Sequence, residues 1–322
     1  MDRRRVIGIG LGALAGAAYG TGPYFFKEFV YPAGVGWIAM LAWRFAFAAV
    51  VSWLWLLVQP AARAALRQLD RRTIARLLFT GAFFIVNASV YYAAIERIDT
   101  SLVALIMSVY PALVAVVSLR LGYRFEGRLA WVSLAVVILG TLLTVGGVNA
   151  NTSQLGIFLA LLSPIAYAAY IILTAWMAGE RPGQTADMRS RGRGAEVPPP
   201  VAGAVMMTGT FAVTLTLALA AREPLLPNEI PAGAWPGLVG IGVFAAAIAI
   251  QAFYASAARI GAAKASLMAT VEPVVVIMLG ITLLGEALSP IRIAGAAVVL
   301  AGVLLAQLAT PAEARPVLIE EL

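Results

Sequence analysis

The chain alternates long apolar runs with short polar breaks. Ten such runs can be drawn, at residues 6–26, 35–58, 74–95, 101–119, 129–148, 155–177, 201–221, 235–257, 264–284 and 290–309. Each is about as long as a helix rising 1.5 Å per residue needs to cross a bilayer core of about 30 Å. In hydrocarbon a backbone N–H or C=O finds no partner outside its own helix, so every run is predicted to be helical. The pattern predicts an all-α polytopic membrane protein with ten transmembrane helices.

The first run follows "MDRRR" and contains "ALAGA", whose small residues resemble a leader cleavage site. The apolar stretch continues past them, so it is read as a retained span. The longest polar break, within 179–200, is rich in Gly, Arg and Pro and has no apolar periodicity. It reads as a flexible cytoplasmic loop. Residues 311–322 read as a cytoplasmic tail.

Composition agrees with this picture and narrows the chemistry. Of 322 residues 61% are hydrophobic and 12% charged, too few charges to coat a soluble globule of this size. The chain has no Cys and no His, which removes thiol chemistry, thiolate metal sites and the commonest general base. No metal or cofactor is expected. The net charge of +7 does not imply nucleic acid, because the basic residues sit in the breaks between spans. With the N-terminus placed inside, the inner breaks receive Arg3–Arg5, five arginines from Arg63 to Arg76, Arg120, Arg124, Arg128, four from Arg181 to Arg193, Arg259, Lys264 and Arg315. The outer breaks receive Lys27, Arg97, Arg222 and Arg292. Eighteen against four is the bias expected of an inner (plasma) membrane protein with both termini in the cytoplasm.

The chain also repeats. Shifted by 162 residues, Tyr92 falls on Tyr254, Arg97 on Arg259, Ile98 on Ile260, Pro111 on Pro273 and Gly140 on Gly302. This divides the chain into halves at 1–150 and 151–310. Five helices per half is an odd number, so the second copy must enter the membrane from the opposite side. Two inverted five-helix repeats predict a secondary transporter with its cargo held near the midplane.

The motifs "WRF" at 43–45, Tyr110–Pro111, "VEPVV" at 271–275 and "LLGE" at 283–286 resemble those of the drug/metabolite transporter superfamily, in its EamA-domain group. The resemblance spans nearly the whole chain. It implies helices around a central cavity open alternately to either side, and export of amino acids, related metabolites or drugs. The first half departs from the pattern. Tyr123–Arg124 stand where the second half has Gly285–Glu286, with Glu126 nearby.

Within the spans, Glu272 lies about 12 Å from the inner end of its run, where a carboxylate must face protein or water. It is read as a proton-coupling group, a site for a substrate amine, or a paired packing residue. Arg44 lies at a similar depth, about 14 Å from the opposite face, and is either its partner or an anchor for backbone carbonyls. Asn87 with Tyr91, and Gln251 with Tyr254, share helical faces. Together with Tyr19, Tyr110, Ser163, Tyr167 and Tyr170 they outline a cavity suited to zwitterionic or aromatic cargo. Pro111, Pro164 and Pro273 are expected to kink their helices.

Gly8, Gly12, Gly16 and Gly20 recur every fourth residue and predict a close helix contact. Ser289–Pro290 reads as an N-cap with a first-turn proline, and Glu286 as an interfacial residue. The reading is therefore export of small organic metabolites, as monomer or homodimer, by proton antiport or facilitated diffusion. A non-transporting membrane protein, such as a lipid-head-group carrier subunit or a membrane-bound enzyme, is the alternative.

Overall fold

The computed structural model describes residues 3–110, 113, 128–146, 152–177, 197–260, 265, 268–269, 271–287 and 289–308. Among them every regular element is helical. Helix α1 (Arg3–Phe25) runs into a π-helical turn, Phe26–Val30. Then come α2 (Trp37–Leu57), α3 (Pro60–Gln68), α4 (Arg71–Ile95) and α5 (Thr100–Met107). Next are α6 (Arg128–Gly146), α7 (Gln154–Met177) and α8 (Pro199–Ala220). Helix α9 has three parts: Trp235–Gly242, a π-helical stretch Val243–Ile248, and Ala249–Ile260. Helices α10 (Val271–Thr282) and α11 (Pro290–Leu308) complete the set.

Among the described residues, five helical segments are long and apolar enough to cross a membrane: Arg3–Val30, Trp37–Leu57, Arg71–Ile95, Pro199–Ala220 and Ala232–Ser256. Shorter apolar stretches lie at Gln154–Tyr170, Val271–Thr282 and Pro290–Gly302. Pro111, Arg124, Glu126, most of the 179–200 loop and the 311–322 tail lie outside the described residues.

Local chemistry explains several boundaries. Asp70 accepts a hydrogen bond from Thr73 N at 3.2 Å and so caps α4. Proline opens α8 and α11, where its missing N–H costs no helical bond. The expected cap at Ser289 is not made: its Oγ is buried with no hydrogen-bond partner among the described residues. Pro273 lies within α10. Helix α3 occupies a break that reads as plain polar linker. Its Ala62 is buried and Ala65 and Leu66 are partly so, packed with Leu56, Val201 and Val205, while Arg63 and Arg67 stay exposed.

The molecule is apolar outside as well as inside. Val58, Leu142, Phe158 and Leu219 are all more than half exposed, as side chains facing lipid would be. Between helices the packing depends on small residues. A Cβ on Gly8 would meet Ile260 and Arg259, and one on Gly12 would meet Met268 and Ser256. A Cβ on Gly16 would lie 2.5 Å from Ala269 O, and one on Gly20 2.9 Å from Glu272 O. The glycine row therefore seats α1 directly on the backbone leading into α10.

Helix pairings recur in matched sets. Helix α1 packs on α9 and α10, while α7 packs on α4 and α5. Helix α2 packs on α9, and α8 on α4. The remaining large contacts are α2 with α8, α5 with α10 and α6 with α11. Single residues follow the same rule. Gly8, near the start of α1, sits against Arg259 and Ile260, and Gly156, near the start of α7, sits against Arg97 and Ile98. Gly140 of α6 abuts Val299, and Gly302 of α11 abuts Val137.

Candidate functional site

The middle of the bundle brings a set of polar side chains together. Tyr19 comes from α1, Tyr91 from α4, Tyr167 and Tyr170 from α7, Gln251 and Tyr254 from α9, and Glu272 from the first turn of α10. Tyr110 follows α5. Tyr19, Tyr91, Tyr110 and Tyr167 all lie close enough to the Glu272 carboxylate to feel its charge. All of these side chains lie deep among helices yet keep some accessible surface.

The tyrosine rings form a packed file. Tyr110 meets Tyr167 edge-on, with centroids 4.7 Å apart, and Tyr167 stacks on Tyr170 at 5.9 Å. Phe84 meets Tyr170 at 5.2 Å. Both contact types match the ring quadrupole, negative on the face and positive at the edge. Ser163 is fully buried, with its Oγ 3.0 Å from Asn87 Oδ1 and 3.3 Å from Met107 Sδ. Pro164, in the next position, leaves the carbonyl one turn earlier without its helical N–H. Tyr254 Oη donates to Met206 Sδ at 3.2 Å. Gln251 turns toward Gly203 of α8, and its Nε2 has no partner among the described residues.

Arg44 is the other deep charge. Its Nη2 donates to Ala245 O at 3.1 Å, and its guanidinium lies 5.1 Å from the Tyr92 ring centroid and 5.2 Å from that of Phe45. It feels the Glu272 charge, but among the described residues no carboxylate lies within ion-pair distance of it. Here Arg44 holds a carbonyl of the π-helical part of α9 and stacks on aromatic faces. Arg44→Met keeps the bulk but removes this charged donor to Ala245 O, at a cost of about 1.5–3 kcal/mol. Thermal unfolding in detergent should show it as a lowered midpoint.

A separate crevice of about 410 Å³ lies between α2 and α8, lined by Ala46, Ala49, Val50, Trp53, Leu54, Thr208 and Phe211. It is almost wholly apolar and includes none of the residues around Glu272. It carries no chemistry that would select a polar cargo.

Among the described residues, no group of acidic, His or Cys side chains could hold a metal ion. Among the described residues, Arg44 and Glu272 are enclosed charges of the central layer, and Arg292 and Glu286 are enclosed charges at one end of the bundle. The sequence marked Glu286 there only as an interfacial residue. There Glu286 and Arg292 reach α5 and the residue before it, described below. The "DTS" at 99–101 ahead of an apolar run was the available signal, being the composition of a helix start.

Comparison with known proteins places the chain. The EamA-like transporter family matches residues 6–146 and again residues 154–308. The chain belongs to that family. This EamA-like transporter is a membrane protein of the drug/metabolite transporter superfamily, and its relatives point to transport and not to enzyme chemistry. It is 25% identical over 277 residues to "Uncharacterized inner membrane transporter YedA" of Escherichia coli strain K12, covering 84% of this chain and 81% of that protein. The proteins of the same name from E. coli O6:H1 and O157:H7 match to the same extent. A solved structure described only as "Crystal structure of protein" has a similar fold, with a TM-score of 0.64 at 17% identity. It covers 94% of this chain and 98% of its own.

Proposed function

We propose that this EamA-like transporter is a secondary exporter of small organic metabolites, amino acids or related zwitterionic and aromatic compounds, across the inner membrane. The observation that carries the reading is Glu272, a carboxylate of α10 within charge reach of Tyr19, Tyr91, Tyr92, Tyr110 and Tyr167. Tyrosine faces receive an aromatic or aliphatic body, the carboxylate receives an ammonium, and Asn87, Ser163 and Gln251 supply neutral hydrogen-bonding groups. Among the described residues no lysine or arginine cluster stands there to receive phosphate.

Two inverted five-helix halves, 1–150 and 151–310, are the frame we propose for its movement. The matched helix pairings support it. So do the equivalent glycine contacts, Gly8 with Gly156 and Gly140 with Gly302. If each half can adopt the conformation of the other, the cavity opens to one side and then to its opposite. Glu272 is the proposed proton-coupling group, so that cargo leaves as a proton enters. With both termini cytoplasmic, the inner end of the bundle is the one where α1 begins.

The test is flux into sealed vesicles containing the purified protein. Radiolabelled aromatic amino acids should cross faster than in empty vesicles, and an opposing proton gradient should speed them. Nucleosides should lag. If no labelled amino acid or nucleoside crosses under any gradient, the proposal fails.

A further inference from the structure

One end of the bundle, the end toward which α1 runs, is fastened by a group of polar contacts away from the central layer. Glu286, just beyond α10, accepts from Thr100 N at 2.6 Å and Thr100 Oγ1 at 2.7 Å through one oxygen. Its other oxygen accepts from Ser101 N at 3.0 Å and from Ser101 Oγ. Six residues on, Arg292 Nη1 donates to Asp99 Oδ2 at 2.8 Å from a guanidinium only 5% exposed. Each contact joins a segment of the second half to the 99–101 segment of the first. Thr100 and Ser101 are buried, and Gly280 leaves room for the Glu286 carboxylate against them. Lys27 lies within reach of Glu286, Asp99 and Glu96.

The corresponding positions at the other end lack all of this chemistry. In the 162-residue register Asp99, Thr100 and Ser101 correspond to Gly261, Ala262 and Ala263, while Glu286 corresponds to Arg124 and Arg292 to Ala130. The surrounding scaffold is nevertheless shared. Arg97 Nη1 donates to Ala93 O at 2.6 Å, and Arg259 Nη1 to Ala255 O at 2.7 Å. The clasp is thus a feature of one end and no by-product of the repeated architecture.

We propose that Asp99, Thr100, Ser101, Glu286 and Arg292 are the gate residues of this end. They hold it shut, and they must part for the central layer to open there. Among the described residues the opposite end shows no such clasp, and its equivalent positions lack the side chains to make one, so the resting protein faces that way. Under the topology proposed above, it waits open to the cytoplasm and the clasp is the outer gate. The inference rests on the alternating cycle under Proposed function, and its test separates the two.

The chain has no cysteine, so introduced ones report alone. Ala287→Cys, at an exposed position, marks which vesicle face carries the clasp. Tyr110→Cys then reports access to the central layer, using a charged, membrane-impermeant maleimide applied from either face. The parent should label from the face opposite the clasp and stay protected on the clasp side. Glu286→Gln and Arg292→Gln should each raise labelling from the clasp side about tenfold, the shift expected when one charge-assisted hydrogen bond leaves a two-state balance. Ser101→Ala keeps both charges, is the least disruptive to folding, and should raise it less. The charge swap Asp99→Arg with Arg292→Asp should restore protection. If the folded variants label like the parent, or the parent already labels from the clasp side, the gate assignment is overturned while the central pocket stands. If Tyr110→Cys labels from neither face in any background, the pocket reading falls and the gate with it.

Discussion

Glu272→Gln is expected to cut the flux of a transported amino acid at least about tenfold in the vesicle assay. A charge-assisted hydrogen bond contributes roughly 1.5–3 kcal/mol, and 1.4 kcal/mol is a factor of ten. Glutamine keeps the shape of the side chain and removes the charge that a substrate ammonium would pair with. The fold should survive, because a neutral amide is less costly than a carboxylate in a place enclosed by helices. Acceleration by an opposing proton gradient should disappear with it. Full flux and full proton response in the variant would make Glu272 a packing residue and remove the centre of the proposed site.

The second large effect concerns stability. A Cβ on Gly140 would lie 2.6 Å from Val299 N, and one on Gly302 2.8 Å from Val137 N. In each case the obstacle is backbone, which cannot rotate away. Gly140→Ala and Gly302→Ala should each cost about 1–3 kcal/mol by forcing α6 and α11 apart. Because the two contacts are reciprocal, the losses should be nearly equal. Gly10 has nothing within 4 Å of a would-be Cβ, so Gly10→Ala should be neutral or slightly stabilising through helix propensity alone. Thermal unfolding in detergent orders the three. Clearly unequal losses at positions 140 and 302 would undo the equivalence of the two helices.

How much of this was legible in the sequence depends on range. That the apolar runs are helical was legible wherever they are described, because hydrocarbon leaves the backbone one choice and the apolar stretches mark it. Helix α3 was not, since Ala and Arg in a nine-residue segment have the composition of a linker, and its apolar stripe matters only once α8 lies beneath it. The glycine row of α1 announced a close contact, though not the backbone at Ala269 that it meets. In the central layer, Glu272 and Arg44 were brought together by depth alone, and depth says nothing of rotation. The structure turns Arg44 to Ala245 O and two aromatic faces. The clasp was the least legible part. Its partners are 185 to 193 residues apart, and Glu286 taken by itself is one more acid at the end of a helix.

The π-helical stretch Val243–Ile248 bears on how the two copies should be laid side by side. A turn closed by an i→i+5 bond holds one more residue than an α turn. Beyond it, a spacing of 162 pairs Tyr92 with Tyr254. Ahead of it and into its first residues, a spacing of 161 pairs Gly81 with Gly242 and Phe83 with Phe244. The bulge has the size of a single inserted residue, absorbed without breaking the helix. Any alignment that ignores it rotates the leading half of α9 by about 100° and assigns lipid-facing side chains to the lumen.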